Sequence, residues 1–194
     1  ACAKYDIPYV FELLVYPLAK DAEQTTDYVE MRTKKPELVL ESVRTFADPK
    51  YGVDLFKLES PLAASDVPGV GGEDWKEAQA WFDALGAEAD RPWVMLSAGA
   101  GKSEFRNIMA HAYRAGASGY LAGRAIWLEP FGLYPDWDAM RSGLATGSVD
   151  YMRELNALTD SAATPWHAHP VFGSEGARFS PSDSSFRHQY GDFG

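Results

Sequence analysis

A chain of 194 residues, with a hydrophobic fraction of 46% and a charged fraction of 24%, is long enough to bury one ordinary core. Its formal net charge of −10 and the lack of a basic stripe argue against nucleic-acid binding. No apolar run approaches the roughly 20 residues of a membrane helix. Cys2 is the sole cysteine, so no intrachain disulfide is expected and a cytoplasmic location is favoured.

The chain begins with a short apolar run. Residues 9–16 predict a strand buried on both faces, as in parallel sheets, and Glu12 interrupts that run. Residues 17–35 are polar and irregular, and they predict a long loop with a short helical piece. Pro36 then opens a helix that is predicted over residues 37–47.

The next predicted strand, residues 52–61, carries a lysine in its middle. The two-residue period of a strand puts Lys57 on the same face as Glu59. A lysine is rarely buried unless it is paired or chemically employed. One employment is as a Schiff-base lysine, whose free amine attacks a carbonyl. The alternative is an ordinary lysine in a salt bridge with a carboxylate such as Glu59, and this stretch alone favours that alternative.

Strands and helices continue to alternate along the chain. Helices are predicted over residues 73–87, 102–115, 137–144 and 149–160, with strands over residues 93–97 and 118–122. From residue 164 the chain is rich in Ser, Gly and Pro, which predicts an extended tail. Four strands that alternate with helices predict parallel βα units. An eight-stranded barrel needs about 250 residues, so the chain is either a small open α/β sheet or about half of a barrel.

Two charged residues interrupt consecutive predicted strands. In parallel α/β folds, reactive groups gather at the C-terminal ends of the strands. Glu12 and Lys57 each cost stability inside a strand unless they are paired. They are therefore expected either to pair with each other or to share the cleavage of a carbon–carbon bond, the amine as nucleophile and the carboxyl group as proton shuttle.

The third strand runs through small residues, from Leu96 to Ser103, into a helix. Backbone N–H groups at such a helix start suit an anion. The Gly-Lys-Ser ending is not a nucleotide-binding P-loop, because that motif needs a glycine five positions before Gly101, where Leu96 stands. Arg124, after the fourth strand, adds a guanidinium that can bind the same anion with two hydrogen bonds. Barrels commonly bind phosphate in the loops after strands seven and eight.

The histidines do not predict a catalytic or metal site. His111 lies within a predicted helix without a partner nearby in sequence, and it is expected to be a surface or packing residue. His167 and His169 form a His-x-His pair without an obvious third ligand. No metal and no other cofactor is expected.

Over residues 1–170 the chain resembles the class I tagatose-1,6-bisphosphate aldolases, with the sulfofructose-phosphate aldolases as close relatives. The segments that carry this resemblance are, in chain order, Asp6-Ile7-Pro8, the run from Phe46 to Asp54, Lys57-Leu58-Glu59, Leu96-Ser97-Ala98-Gly99, Gly123-Arg124-Ala125-Ile126-Trp127 and Thr164-Pro165-Trp166. The resemblance implies a TIM barrel whose C-terminal half is residues 1–170, followed by an extended tail, residues 171–194. We therefore expect the biological protein to be longer than this chain.

The resemblance also implies a site and a reaction. Lys57 matches the lysine that forms the Schiff base, and Glu12 matches the carboxylate that shuttles protons. Glu59 would lie in the pocket wall beside the substrate. The positions that match the family's phosphate-binding residues are Ser97, Gly99 and Arg124. The implied reaction is reversible retro-aldol cleavage of a phosphorylated ketose, similar to tagatose 1,6-bisphosphate, to dihydroxyacetone phosphate and an aldehyde.

The loops depart from the family pattern at residues 17–36 and 61–75, and the tail has no recognised counterpart. These loops rim the expected pocket, so the aldehyde half of the substrate stays open. One alternative is a sulfofructose-phosphate aldolase that releases sulfolactaldehyde. Two others are a non-catalytic regulator that senses a sugar phosphate and a structural or oligomerisation fragment. The expected ligand is a small sugar phosphate, with no nucleic-acid or membrane partner, and self-association is left open.

Overall fold

The structure, a computed structural model of the chain, describes residues 1–5, 7–15 and 36–177. The loop predicted at residues 17–35 lies outside the described residues, as does the tail from residue 178 onward.

Four β-strands form one parallel sheet: β1 (Val10–Glu12), β2 (Leu55–Leu58), β3 (Trp93–Leu96) and β4 (Gly119–Leu121). Each strand pairs with the next one along the chain, so the spatial order is β1-β2-β3-β4. Parallel neighbours need a crossover connection, which is usually a helix. The prediction of parallel βα units is confirmed for this part of the chain.

Helices connect the strands and continue beyond the last one. Their bounds are α1 (Cys2–Tyr5), α2 (Pro36–Phe46), α3 (Trp75–Glu88), α4 (Lys102–Arg114), α5 (Arg124–Phe131), α6 (Trp137–Gly143) and α7 (Val149–Ala162). A π-helical turn, Leu144–Ser148, joins α6 to α7. The helices expected at residues 37–47, 73–87, 102–115, 137–144 and 149–160 all form. No helix was predicted where α5 lies.

The core lies between the helices and one face of the sheet. Phe56 and Leu58 of β2 are fully buried, as are Trp93 and Met95 of β3. They alternate along their strands with Lys57 and with other residues that face away from the helices, as the two-residue period requires. Helical residues that complete the core include Val43, Phe82, Leu85, Phe105 and Ile108. Lys57 therefore lies on the opposite face of the sheet, away from this core.

The first strand differs from its prediction. Of the expected strand 9–16, which the structure describes as far as residue 15, residues 10–12 pair with β2, and Val10 is 48% exposed rather than buried on both faces. The physical reason is position: β1 is the first strand of the described sheet and has β2 alone as a neighbour. An apolar run predicts a strand, but it does not determine how many neighbours the strand has.

The chain after α7 returns to the sheet and then turns. The N–H of Thr164 donates to the carbonyl oxygen of Ala117 at 3.0 Å. Two short 3₁₀ turns follow, Trp166–Ala168 and Pro170–Phe172, where the sequence predicts an extended segment. The aromatic rings of Trp166 and Phe172 pack edge to face across these turns, with centroids 5.9 Å apart. The boundary predicted at residue 170 remains a prediction.

Candidate active site

Lys57 and Glu12 meet on the sheet face that points away from the helices. They occupy paired positions in the register of β1 and β2. Their side chains are 23% and 44% exposed, and Lys57 Nζ lies 2.7 Å from Glu12 Oε2. The sequence left open whether these residues pair or act together in chemistry. A direct ion pair is compatible with both, because a proton can pass between groups at hydrogen-bond distance.

Glu59 follows β2, and its carboxylate is turned toward the chain beyond β1. The residue is 3% exposed, and its Oε1 accepts a hydrogen bond from the N–H of Val15 at 2.6 Å. A buried carboxylate is costly unless such bonds satisfy it. Its contact with Val15 therefore gives it a structural task beside the pocket-wall role expected from the sequence.

The turn after β3 has the tight geometry that its small residues predict. Ala98 and Gly99 both have left-handed φ values, 47° and 85°, and the N–H of Ala100 donates to the carbonyl oxygen of Ser97 at 2.8 Å. Glycine adopts this conformation without the cost that a Cβ atom imposes. The turn leads into α4, where the N–H of Gly101 donates to Glu104 Oε2 at 2.8 Å. An anion bound here would share the helix start with that carboxylate.

Arg124, the first residue of α5, reaches the turn after β3. A Cβ atom placed on Gly99 would lie 3.6 Å from Arg124 Nη2. The fold thus brings together the loops after β3 and β4, as expected for an anion site built from both. Ser97 is 6% exposed at the base of the same turn.

The sequence missed one residue that contributes to the local geometry. Asp54, directly before β2, accepts a hydrogen bond from the N–H of Tyr9 through Oδ2 at 2.7 Å. Glu59, directly after the other end of β2, likewise accepts a hydrogen bond from the N–H of Val15. Acidic residues at both ends of one short strand were the available sequence signal.

His111 is a packing residue, as the sequence predicts. Its ring is fully buried, stacks on Phe82 with centroids 5.4 Å apart, and has Pro68 O 2.9 Å from Nε2 and Gln79 Oε1 2.8 Å from Nδ1. Burial lowers the pKa of this histidine, although the bond to the Pro68 carbonyl opposes the shift. His111 therefore belongs to the packing between α3 and α4.

Among the described residues, no group of three or more His, Cys, Asp or Glu side chains is arranged to hold a metal ion. Within the same ranges, no helix has both the length and the apolar character needed to cross a membrane. The cytoplasmic location expected from the single cysteine stays a prediction.

The fold and the site define a class: a parallel α/β protein with an amine–carboxylate pair on the open face of its sheet and an arginine beside a glycine turn. Comparison with known families makes this specific. The family model described as DeoC/LacD family aldolase matches residues 1–129. The chain belongs to this family of aldolases, as the resemblance implies.

Known proteins of this family match most of the chain. Tagatose 1,6-diphosphate aldolase of Lactococcus lactis subsp. lactis is 31% identical over 174 residues, covering 85% of this chain and 52% of the relative. The protein of the same name from Streptococcus pneumoniae is 31% identical over 173 residues, with the same coverage of both chains. The one from Listeria monocytogenes serotype 4b is 32% identical over 174 residues and is covered to 50%. The chain thus spans about half the length of the curated relatives it matches.

Proposed function

We propose that the protein is a class I, Schiff-base aldolase that cleaves a phosphorylated ketose reversibly to dihydroxyacetone phosphate and an aldehyde. The observation that carries this proposal is the contact of 2.7 Å between Lys57 Nζ and Glu12 Oε2, in a chain that belongs to an aldolase family. The substrate is proposed from relatives that are named as tagatose 1,6-diphosphate aldolases.

In the proposed reaction, Lys57 is the nucleophile. Its amine, after losing a proton to Glu12, adds to the C2 carbonyl of the ketose to give a carbinolamine. Glu12 then returns a proton to the carbinolamine hydroxyl, which leaves as water, and an iminium forms between Nζ and C2. The separation of 2.7 Å between the two side chains allows this transfer without an intervening water.

The iminium acts as the electron sink for bond cleavage. When the C4 hydroxyl gives its proton to Glu12, the C4 carbonyl forms, the C3–C4 bond breaks, and its electron pair moves into the iminium to give an enamine. The aldehyde departs, and the enamine takes a proton at C3 to become an iminium again. Water hydrolyses that iminium and releases dihydroxyacetone phosphate and the free amine of Lys57.

We propose that Ser97, Gly99 and Arg124 bind the phosphate of the dihydroxyacetone-phosphate half. This is supported by the distance of 3.6 Å from Arg124 Nη2 to the Cβ position of Gly99, which puts a guanidinium beside backbone N–H groups of a tight turn. The chain carries a net charge of −10, so a local cation and backbone dipoles are needed to attract an anionic substrate.

We further propose that residues 1–170 are the C-terminal half of an eight-stranded barrel. The four parallel strands in sequential order, with helices of the described residues packed against the buried face of the sheet, support this. So does the finding that the chain spans about half the length of its relatives. In such a barrel the face that carries Lys57 and Glu12 would line the interior, and the activity would require all eight strands.

The test is trapping of the Schiff base in the full protein. Borohydride reduction with tagatose 1,6-bisphosphate, fructose 1,6-bisphosphate or sulfofructose phosphate should fix the substrate's mass on the peptide that contains Lys57. Lys57→Met should abolish both trapping and cleavage, whereas Lys50→Met, a matched change of a surface lysine paired with Asp48, should affect neither.

Glu12→Gln should still bind substrate but lose about 10²- to 10⁴-fold in kcat, the usual range for a missing proton-transfer group. A Lys57→Met protein that still cleaves the ketose would refute the proposal, as would an adduct on another lysine.

A further inference from the structure

The pairing of Glu12 with Lys57 depends on the register of a very short strand. β1 has three residues, and β2 is its neighbour in the described sheet. Val10, which is 48% exposed, and Glu12, whose side chain is 44% exposed, lie on the open face of the sheet, and Phe11 alone of the three packs against the core, with its ring centroid 4.8 Å from that of Phe46. A slip by one residue would turn Glu12 to the opposite face of the sheet. Because a single side chain of β1 packs against the core, further contacts within the described sheet contribute to fixing its register.

Two carboxylates next to the ends of β2 bind the backbone on either side of β1. Asp54 Oδ2 accepts from the N–H of Tyr9 at 2.7 Å, one residue before β1 begins. Glu59 Oε1 accepts from the N–H of Val15 at 2.6 Å, three residues after Glu12. Hydrogen bonds to an ionised acceptor are shorter and stronger than those between neutral groups.

The remaining backbone contacts agree with this register. The N–H groups of Asp54 and Leu55 both donate to the Tyr9 carbonyl oxygen, at 3.0 and 3.2 Å, and the N–H of Leu13 donates to the Lys57 carbonyl oxygen at 3.2 Å. After a slip by one residue, the N–H groups of Tyr9 and Val15 would no longer face the two carboxylates. Asp54 and Glu59 thus hold β1 at two points, one on each side of the proposed proton shuttle.

We propose that Asp54 and Glu59 are positioning residues that lock the register of β1 and so keep Glu12 against Lys57. This inference rests on the proposed function for its catalytic meaning, although the lock itself does not. Glu59 is the stronger of the two, because it is 3% exposed and its bond to Val15 is partly buried, whereas the bond of Asp54 is exposed. It acts on the reaction through Glu12.

The lock is tested first without any activity measurement. Amide hydrogen exchange at Val15 should be at least about 10-fold faster in Glu59→Leu than in the wild type, because the bond to Glu59 protects that N–H. Glu59→Gln keeps an oxygen acceptor of the same shape and should stay within about 3-fold of the wild type. Asp54→Ala, a change near the surface that serves if Glu59→Leu does not fold, should raise exchange at Tyr9. Unchanged exchange at Val15 in Glu59→Leu, or at Tyr9 in Asp54→Ala, would overturn the lock.

A double-mutant cycle then tests the link to Glu12. Glu59→Leu should lower kcat by about 10- to 100-fold with little change in KM, since small misplacements of a reacting group cost this much. Glu59→Gln should restore most of that loss. In a Glu12→Gln background, Glu59→Leu should change kcat by less than about 2-fold, because the group that it positions is already gone.

Losses that multiply in the double variant would mean that Glu59 acts independently of Glu12, and would overturn the inference. The proposed function fails by a different result, cleavage by Lys57→Met. The exchange measurement is interpretable in either case, so the two failures are distinguishable.

Discussion

Gly86 offers a severe test of the packing between α3 and α4, the helices that precede and follow β3 along the chain. A Cβ atom at Gly86 would lie 2.2 Å from the carbonyl oxygen of Ala115, at the end of α4, and 3.3 Å from the carbonyl carbon. Ordinary contact begins near 3.4 Å, so Gly86→Ala requires the two helices to separate by about 1 Å. The obstacle is backbone, which cannot rotate out of the way as a flexible side chain can.

Two effects of Gly86→Ala oppose each other. Alanine in a helix interior is favoured over glycine by about 1 kcal/mol. Overpacking of a close contact costs about 1–3 kcal/mol, and a backbone obstacle at 2.2 Å puts this site in the upper part of that range. We expect a net loss of about 1–2 kcal/mol in the free energy of unfolding. For a chain of this size, that corresponds to a fall in Tm of about 2–8 °C.

Thermal and urea unfolding, followed by far-ultraviolet circular dichroism, measure this loss. Gly147→Ala is the matched control, because a Cβ atom at Gly147, in the turn between α6 and α7, meets nothing within 4 Å. It should not lower stability. A Gly86→Ala protein that is as stable as the wild type, or that loses no more than Gly147→Ala, would refute the close approach of α3 and α4.

Two further predictions concern His111 and Arg124. Burial lowers the pKa of His111 in the folded protein, so the neutral imidazole is favoured there. The contribution of His111 to the free energy of unfolding should be fully present above the unfolded-state pKa of about 6.5, and it should be lost as the pH falls through the pKa of the folded state. When urea unfolding is measured from pH 8 to pH 5, the free energy of unfolding should fall less in His111→Gln than in the wild type, whereas His167→Gln should behave as the wild type does. An equal fall in both variants would contradict the burial of a neutral His111. Arg124→Met should reduce kcat/KM for the phosphorylated ketose by about 10- to 100-fold, mainly through KM, and weaken inhibition by inorganic phosphate. The control is Arg153→Met, a change of an exposed arginine paired with Asp150, which should match the wild type. An Arg124→Met protein with the kinetics of the wild type would refute phosphate binding by Arg124.

The sequence predicts the helical core well where the apolar period is clean. Phe105, Ile108, Met109 and Tyr113 recur at spacings of three and four residues along α4, and all four are at most 3% exposed. Residues spaced by three and four positions share one face of a helix, so a single row of apolar side chains fixes which side packs. The same logic gives the bounds of α4 to within one residue.

The apolar helical period does not predict α5. Trp127, Leu128 and Phe131 are 37%, 52% and 49% exposed, so the large apolar residues of this helix do not form a buried stripe. Pro130 inside it adds a residue that usually ends helices. A helix whose large apolar side chains stay exposed gives no periodic signal.

The candidate site likewise has a part that the sequence predicts and a part that it does not. The charged interruptions of two apolar strands marked Glu12 and Lys57 in the sequence, but the register that pairs these residues is seen only in the structure. The contact of Glu59 with Val15 could not be predicted, because it joins a side chain to a backbone amide 44 residues away in sequence. The nearness of Arg124 to Gly99 depended likewise on how two loops fold toward each other.

The contact between Lys57 and Glu12 has both a structural and a catalytic interpretation, and stability separates them. Ion pairs as open to solvent as this one, with side chains 23% and 44% exposed, typically contribute about 0–1 kcal/mol. Glu12 would be left partly hydrated in a Lys57→Met protein, so we expect unfolding in urea to shift by no more than about 1 kcal/mol. The same variant should lose all cleavage activity, and a loss that large with so small a change in stability is what a catalytic lysine predicts. If Lys57→Met instead unfolded far more easily than the wild type, the pair would be chiefly structural, and the loss of activity would no longer support a Schiff base.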